Sequence, residues 1–267
     1  MLTAHDVILQ RLLAAYRHGH RLVLVFDYDG TLTPIVAHPS LARIYPALRD
    51  VLARLAAIPR ITVGIISGRS LDDVIGMVGL PELCYAGSTG LELALAGKRD
   101  LPAEALENRA LLHFLIAALE QRRVAYPGMW IEKKPFGFTV HYRQLAAEQV
   151  ADLRAETLAL LEPHTAVLHV LDGPLAIEVA PAIGRDKGTA LRAILAHGGP
   201  EPATVLYAGD SANDAPALAV AAELNGIALG IGPEAPAEAT QRLSDTTALS
   251  ELLAALALAI LSRCPTT

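Results

Sequence analysis

The chain has 267 residues, 52% of them hydrophobic but only 4% aromatic, so it can bury one large core or two smaller ones built from Ala, Leu, Val and Ile. A formal net charge of −6 leaves no basic excess to neutralise phosphates, which argues against a nucleic-acid or anionic-membrane partner. The most apolar stretch, Leu252 to Leu261, is far shorter than the ~20 residues that span a bilayer.

The opening Met-Leu-Thr-Ala-His-Asp lacks the charged-then-apolar pattern of a signal peptide. Cys84 and Cys264 lie far apart and outside any metal-ligand spacing, so no disulfide scaffold is indicated and a reducing compartment fits. A cytoplasmic monomer is the expectation.

Thr3-Ala-His-Asp6 has the form of a helix start, and helical spacing continues from Val7 to Tyr16. Arg17-His18-Gly19-His20-Arg21, the one local basic cluster, reads as a solvated helix end. Leu22 to Phe26 is apolar on both faces and too short for a helix, as a central parallel strand would be. It stops at Asp27-Tyr28-Asp29-Gly30. Positions i and i+2 of an extended segment point the same way, so both carboxylates could face one small site.

Pro46 suits the first turn of a helix reaching Ile58, and Ile61 to Ile66 is a second buried strand, ending at Ser67-Gly68-Arg69. Ser70 with Asp73 starts a short helix, and Leu83 to Ala86 is a third strand leading into Gly87-Ser88-Thr89-Gly90. Strand and helix alternating in this way imply right-handed crossovers and a parallel sheet.

From Leu101 the rhythm changes. A helix over 103–122 precedes strands at Trp130–Lys133 and Gly137–Arg143, and a helix over 146–161 precedes Val167–Leu171 and Leu175–Val179. Short turns at Lys134-Pro135-Phe136-Gly137 and Asp172-Gly173-Pro174 make hairpins of both pairs. This pattern describes an antiparallel sheet with helices on one face, inserted through hinges near Lys98–Pro102 and Ala180–Gly184. Beyond it a helix follows Asp186-Lys187-Gly188, and the strand Thr204–Ala208 ends at Gly209-Asp210. A helix near Asn213, a strand over 226–229 and a last helix close the chain. The domains expected are 1–100 with 183–267, and 101–182.

Three strands of the larger domain thus end in Asp27 and Asp29, in Ser67, and in Asp210 followed by Asp214. Strand ends of one parallel sheet share an edge, where open α/β sheets bind ligands. Carboxylates brought together repel one another unless a cation sits among them. All-oxygen ligation with few protein ligands suits Mg²⁺, whereas no His or Cys spacing suits zinc. For a second anion there are the Ser67 hydroxyl, backbone N–H groups around Gly30 and Gly68, and Lys187 at a helix start.

Asp27-Tyr28-Asp29-Gly30-Thr31, Ser67-Gly68-Arg69, Lys187 and Gly209-Asp210-Ser211-Ala212-Asn213-Asp214 resemble, in order, the four motifs of the haloacid dehalogenase-like phosphohydrolases. That resemblance implies a Rossmann-like parallel-sheet core with an inserted α+β cap of type C2. Within the superfamily, Asp-Tyr-Asp-Gly-Thr-Leu-Thr-Pro34 resembles the trehalose-6-phosphate phosphatases. So do Gly87-Ser88-Thr89-Gly90-Leu91-Glu92, Glu132-Lys133-Lys134, His141-Tyr142-Arg143 and Ile177-Glu178-Val179.

The resemblance implies that Asp27 attacks phosphorus to form an aspartyl-phosphate, and that Asp29 protonates the leaving oxygen and then activates water. It implies Mg²⁺ on the Asp27 carboxylate, the Asp29 main-chain carbonyl and Asp210, with Asp214 supporting. Ser67 and Lys187 would bind the transferring phosphoryl group. Glu132, Lys134, Arg143 and Glu178 match positions that contact sugar hydroxyls. The family usually has Gly-Asp-Asp where this chain has Gly209-Asp210-Ser211, Arg where Ala180 stands and His where Thr89 stands. These departures touch the substrate more than the reaction. Another glycosyl phosphate as substrate, or a phosphomutase that isomerises a sugar phosphate, are the alternatives.

Overall fold

In the computed structural model, which describes residues 3–36, 38–172 and 175–262, Thr3 and Asp6 form a reciprocal capping box at the start of α1 (Ala4–Arg17). There follow β1 (Arg21–Phe26), α2 (Pro46–Ala57), β2 (Ile61–Ile66), α3 (Leu71–Val78), β3 (Cys84–Gly87), β4 (Glu92–Leu95) and β5 (Lys98–Asp100). Next are α4 (Ala103–Glu107), α5 (Arg109–Glu120), β6 (Trp130–Lys134), β7 (Gly137–His141), α6 (Ala147–Leu161), β8 (Leu168–Asp172) and β9 (Ala176–Pro181). The chain closes with α7 (Lys187–His197), β10 (Ala203–Gly209), α8 (Ala215–Glu223), β11 (Ile227–Ile231), β12 (Gln241–Leu243) and α9 (Thr246–Leu261). Two compact units result, Met1–Asp100 with Asp186–Thr267, and Leu101–Arg185.

The first unit holds a sheet in the order β12-β11-β10-β1-β2-β3-β4-β5, parallel from β12 to β3. β1 lies near its centre, and its alternate residues enter different cores. Leu22, Leu24 and Phe26 pack with residues of α1, α2, α3 and α9, whereas Val23 and Val25 pack with residues of α7 and α8. Helices therefore cover both faces, which is why the strand reads as an unbroken apolar run.

Two expectations about this unit need correction. Arg21 is not part of a solvated helix end; it begins β1 and is buried. Its Nη2 donates to the carbonyls of Leu195 (3.3 Å) and Gly199 (2.9 Å) at the C-terminal end of α7, where a helix has carbonyls without partners and favours a cation. The second unit begins at Leu101, and the first part of the segment expected as a hinge near Lys98–Pro102 is instead the edge strand β5, which pairs antiparallel with β4. The two-residue turn between them places Ala96 (φ 46°) and Gly97 (φ 75°) in the left-handed region that tight hairpins require. β12, an exposed-edge strand of three residues, had no apolar pattern to announce it.

The second unit pairs β6-β7-β9-β8 antiparallel throughout. Phe138, Val140, Ile177 and Val179 share a core with Leu112, Leu115 and Leu119 of α5 and Leu153 and Leu161 of α6, so both helices lie on one face. The helix expected over 103–122 is broken at Asn108, a residue whose side chain competes for backbone hydrogen bonds. β9 runs on to Pro181, so the chain returns to the first unit at Asp186 rather than at residue 183. The Gly173-Pro174 turn and Cys264 lie outside the described residues. No helix among the described residues is long and apolar enough to cross a membrane.

Candidate active site

Asp27, Ser67 and Asp210 directly follow β1, β2 and β10, neighbours in the sheet, and so stand side by side along its C-terminal edge. Behind them Lys187, the first residue of α7, is wholly buried. Its Nζ donates to Asp27 Oδ1 at 2.6 Å and to Asp214 Oδ1 at 2.7 Å. Burial works against its charge, but Asp214 and Asp27 together outweigh that and hold the ammonium above the ordinary lysine value. The cost of burying these charges is met only because each has a partner; removing one would leave the others stranded.

The carboxylates are not equivalent. Asp214 has every lone-pair direction occupied: Oδ1 accepts from Lys187 and from the Tyr207 hydroxyl (2.6 Å), Oδ2 from the amides of Asp210 (3.0 Å) and Ser211 (3.1 Å) and from the Ser211 hydroxyl (3.4 Å). Burial, then Asp214, pushes the Asp210 carboxyl up to about 6. Asp210 Oδ1 is buried with no hydrogen-bond partner among the described residues. Burial also pushes Asp27 well above the usual carboxylate range, against the pull of Lys187.

Asp27, Asp210 and Asp214 each offer an oxygen within 4.8 Å of the others. An oxygen-only set with an orphaned, charge-crowded carboxylate fits a hard divalent cation. Because Asp214 is already saturated, the oxygens left to such an ion are those of Asp27 and Asp210. Gly30 makes their approach possible: with φ at +87°, a Cβ there would fall 2.1 Å from Asp210 Oδ2. The Gly30 amide itself donates to the Thr33 carbonyl at 2.7 Å, so it is committed within the turn rather than free for a phosphate.

Asp29 points elsewhere. Arg69 grips it with two hydrogen bonds, Nε to Oδ2 at 2.7 Å and Nη2 to Oδ1 at 2.6 Å, while also reaching Asp73 and the Pro39 carbonyl. The Asp29 side chain is 36% exposed where that of Asp27 is 6% exposed, so carboxylates two residues apart meet quite different surroundings. Ser67 is fully buried, and its Oγ accepts from the Arg69 amide at 3.1 Å, which leaves its own proton to donate. Gly68 lies between them, partly exposed.

Arg69 and Tyr207 are contributors that residue spacing did not nominate. Tyr207 had a signal: a phenol in a buried apolar strand needs a partner for its hydroxyl. After β3, Ser88 (φ 48°) and Thr89 (φ 58°) take up left-handed backbone, and the Thr89 amide donates to the Ser67 carbonyl at 3.0 Å. The Thr89 departure from the family pattern thus sits beside Ser67.

In the second unit, Glu132, Lys134 and Glu178 come together on β6 and β9. Lys134 Nζ donates to Glu178 Oε1 at 2.8 Å, and Glu132 Oε2 lies 2.9 Å from His141 Nε2. Arg143 is exposed in the turn beyond β7, outside the strand pairing that aligns the other three. Ala180 sits on β9 opposite His169 of β8.

A family model described as trehalose-phosphatase matches residues 25–249. The trehalose-phosphate phosphatase of Mycobacterium bovis (strain BCG / Pasteur 1173P2) is 37% identical over 202 residues, covering 73% of this chain and 50% of that protein. A probable trehalose-phosphate phosphatase 9 of Oryza sativa subsp. japonica is 34% identical over 233 residues, 78% of this chain and 62% of its own length. The chain thus spans about half the length of the curated relatives it matches. Among solved structures, the C-terminal domain of the C. albicans trehalose-6-phosphate phosphatase superposes with a TM-score of 0.81 at 23% identity, covering 93% of this chain and 96% of that one. The Aspergillus fumigatus trehalose-6-phosphate phosphatase gives a TM-score of 0.64 at 26% identity over 94% and 97%.

Proposed function

This chain belongs to the trehalose-phosphatase family, and on that premise we propose that it hydrolyses trehalose 6-phosphate to trehalose and phosphate. The observation that supports this most is the buried Lys187 bridging Asp27 and Asp214, with Asp210 beside them at the edge of the parallel sheet.

Asp27 is the nucleophile. Its Oδ1 is fixed by Lys187, so the other carboxylate oxygen attacks phosphorus, and the bond from phosphorus to the sugar oxygen breaks. Asp29, protonated for that step, gives its proton to the departing sugar oxygen. It then takes a proton from the water that attacks the aspartyl-phosphate, which frees phosphate and regenerates Asp27. For this Asp29 must leave the grip of Arg69, and its partial exposure gives it room to turn. Lys187 and the Ser67 hydroxyl hold the transferring phosphoryl group, with the backbone at Gly68 close beside.

Asp27, Asp210 and the Asp29 main-chain carbonyl would hold a Mg²⁺ ion, which would offset the charge of the phosphoryl oxygens. Asp214 anchors Lys187 and orients the Asp210 amide. Glu132, Lys134, Glu178 and Arg143 recognise the sugar hydroxyls. The second unit then serves as the specificity domain and the first as the catalytic one.

The purified chain with Mg²⁺ is expected to release phosphate from trehalose 6-phosphate. Release from other glycosyl phosphates but not from this one would overturn the substrate. Asp27→Asn is expected to abolish turnover, and retained turnover would overturn the nucleophile.

A further inference from the structure

Strand pairing sets Glu132, Thr139 and Glu178 side by side in one row across β6, β7 and β9. Alternation puts that row on the face opposite Phe138 and Val179, away from the helices. The long side chains on either side of Thr139 are each drawn to a neighbour, Glu178 to Lys134 and Glu132 to His141. His141 in turn stacks on Trp130 with ring centroids 3.9 Å apart and 12° between planes, which fixes the imidazole that holds Glu132.

Thr139 lies between them, 5% exposed, and its hydroxyl has no hydrogen-bond partner among the described residues. That is an unfavourable state for a buried hydroxyl. Valine has nearly the same shape and is as well suited to a strand, so packing alone gives no reason for the hydroxyl. A polyhydroxyl ligand supplies one. The two pairings beside Thr139, the Lys134–Glu178 ion pair and the Glu132–His141 hydrogen bond, are partly exposed, and sugar hydroxyls engaging Glu132 and Glu178 would spread them apart and uncover the group between.

We propose that Thr139 is a further sugar-binding residue, its hydroxyl bonding one hydroxyl of the disaccharide between Glu132 and Glu178. The inference rests on the trehalose 6-phosphate reading and deepens it. Lys134, Glu132 and Glu178 read charge-assisted contacts at the edges of the strip, and Thr139 adds a neutral one at its centre that an analogue lacking that hydroxyl cannot satisfy.

The test compares wild type, Thr139→Val and Thr139→Ser on trehalose 6-phosphate and on p-nitrophenyl phosphate, which carries no sugar hydroxyls, with melting temperature recorded for each. Thr139→Val is expected to raise KM for trehalose 6-phosphate by about 3- to 10-fold, the worth of one neutral hydrogen bond. kcat and p-nitrophenyl phosphate hydrolysis should stay unchanged, the melting temperature should not fall, and Thr139→Ser should restore KM. An unchanged KM in Thr139→Val, or equal losses on both substrates, would overturn the role of Thr139. A wild-type chain that ignores trehalose 6-phosphate but cleaves p-nitrophenyl phosphate would instead overturn the substrate reading.

Discussion

Two charged clusters in this molecule are built on opposite principles. Around Lys187 the bridged groups are buried: its side chain and that of Asp214 are 0% exposed and that of Asp27 only 6%. On the small sheet Lys134 is 10% exposed, Glu178 23%, His141 21% and Glu132 30%. The first cluster cannot rearrange without stranding a charge out of water, so its geometry is set before any ligand arrives. The second is made of pairs that water already competes for and that a ligand can open at little cost. On the proposed reading, fixed chemistry and adjustable recognition belong to different units of one chain.

The sharpest way to break this contrast is Lys187→Met. It leaves Asp27 and Asp214 buried without their cation, and should cost about 3–5 kcal/mol of stability in urea denaturation, together with all phosphatase activity. A loss below about 1 kcal/mol would mean that the cluster is as wet as the sheet. Tyr207→Phe removes one of five donors to Asp214, and should cost about 1–2 kcal/mol by the same measurement while lowering turnover less than Lys187→Met does. No change at all would remove Tyr207 from the site's support.

Linkage to pH and metal sharpens the comparison further. The Asp210 carboxyl rises from 3.8 to about 6 on folding, so what this group adds to stability is present below 3.8 and lost as pH rises through about 6. Above that pH the crowded charges are what a divalent cation relieves. Added Mg²⁺ should therefore raise the melting temperature more at about pH 7.5 than at about pH 5. Equal shifts at both would mean that the ion does not meet Asp210. The smallest expected effect on stability is that of Glu178→Gln, about 0–1 kcal/mol, though it should raise KM for trehalose 6-phosphate. A large stability loss there would place the sheet pair with the buried cluster.

Strands buried on both faces announce themselves, and their last residues name the edge of a parallel sheet; Asp27, Ser67 and Asp210 were legible for that reason. Short edge strands do not, since Lys98–Asp100 and Gln241–Leu243 are three residues each and carry no alternation to read. Partnerships between distant residues were out of reach as well. That Arg69 spends its guanidinium on Asp29 and that Asp214 is filled by five donors are facts of space, not of spacing. Arg21 misled because a basic residue in a basic cluster looks solvated, whereas helix-end carbonyls had a use for it.

Arg21 also has a bearing on the catalytic end of its own strand. β1 and α7 run in opposite directions, and each end of the pair is tied: Arg21 to the last carbonyls of α7, Asp27 to the first side chain of α7. The two fastenings stand about 20 Å apart, the length of six extended residues. Strand and helix are thus latched like the two rails of a frame, and neither can slide along the other without opening a latch. The position of Asp27 against Lys187 is gauged in part from the far end of the strand, by the Arg21 guanidinium.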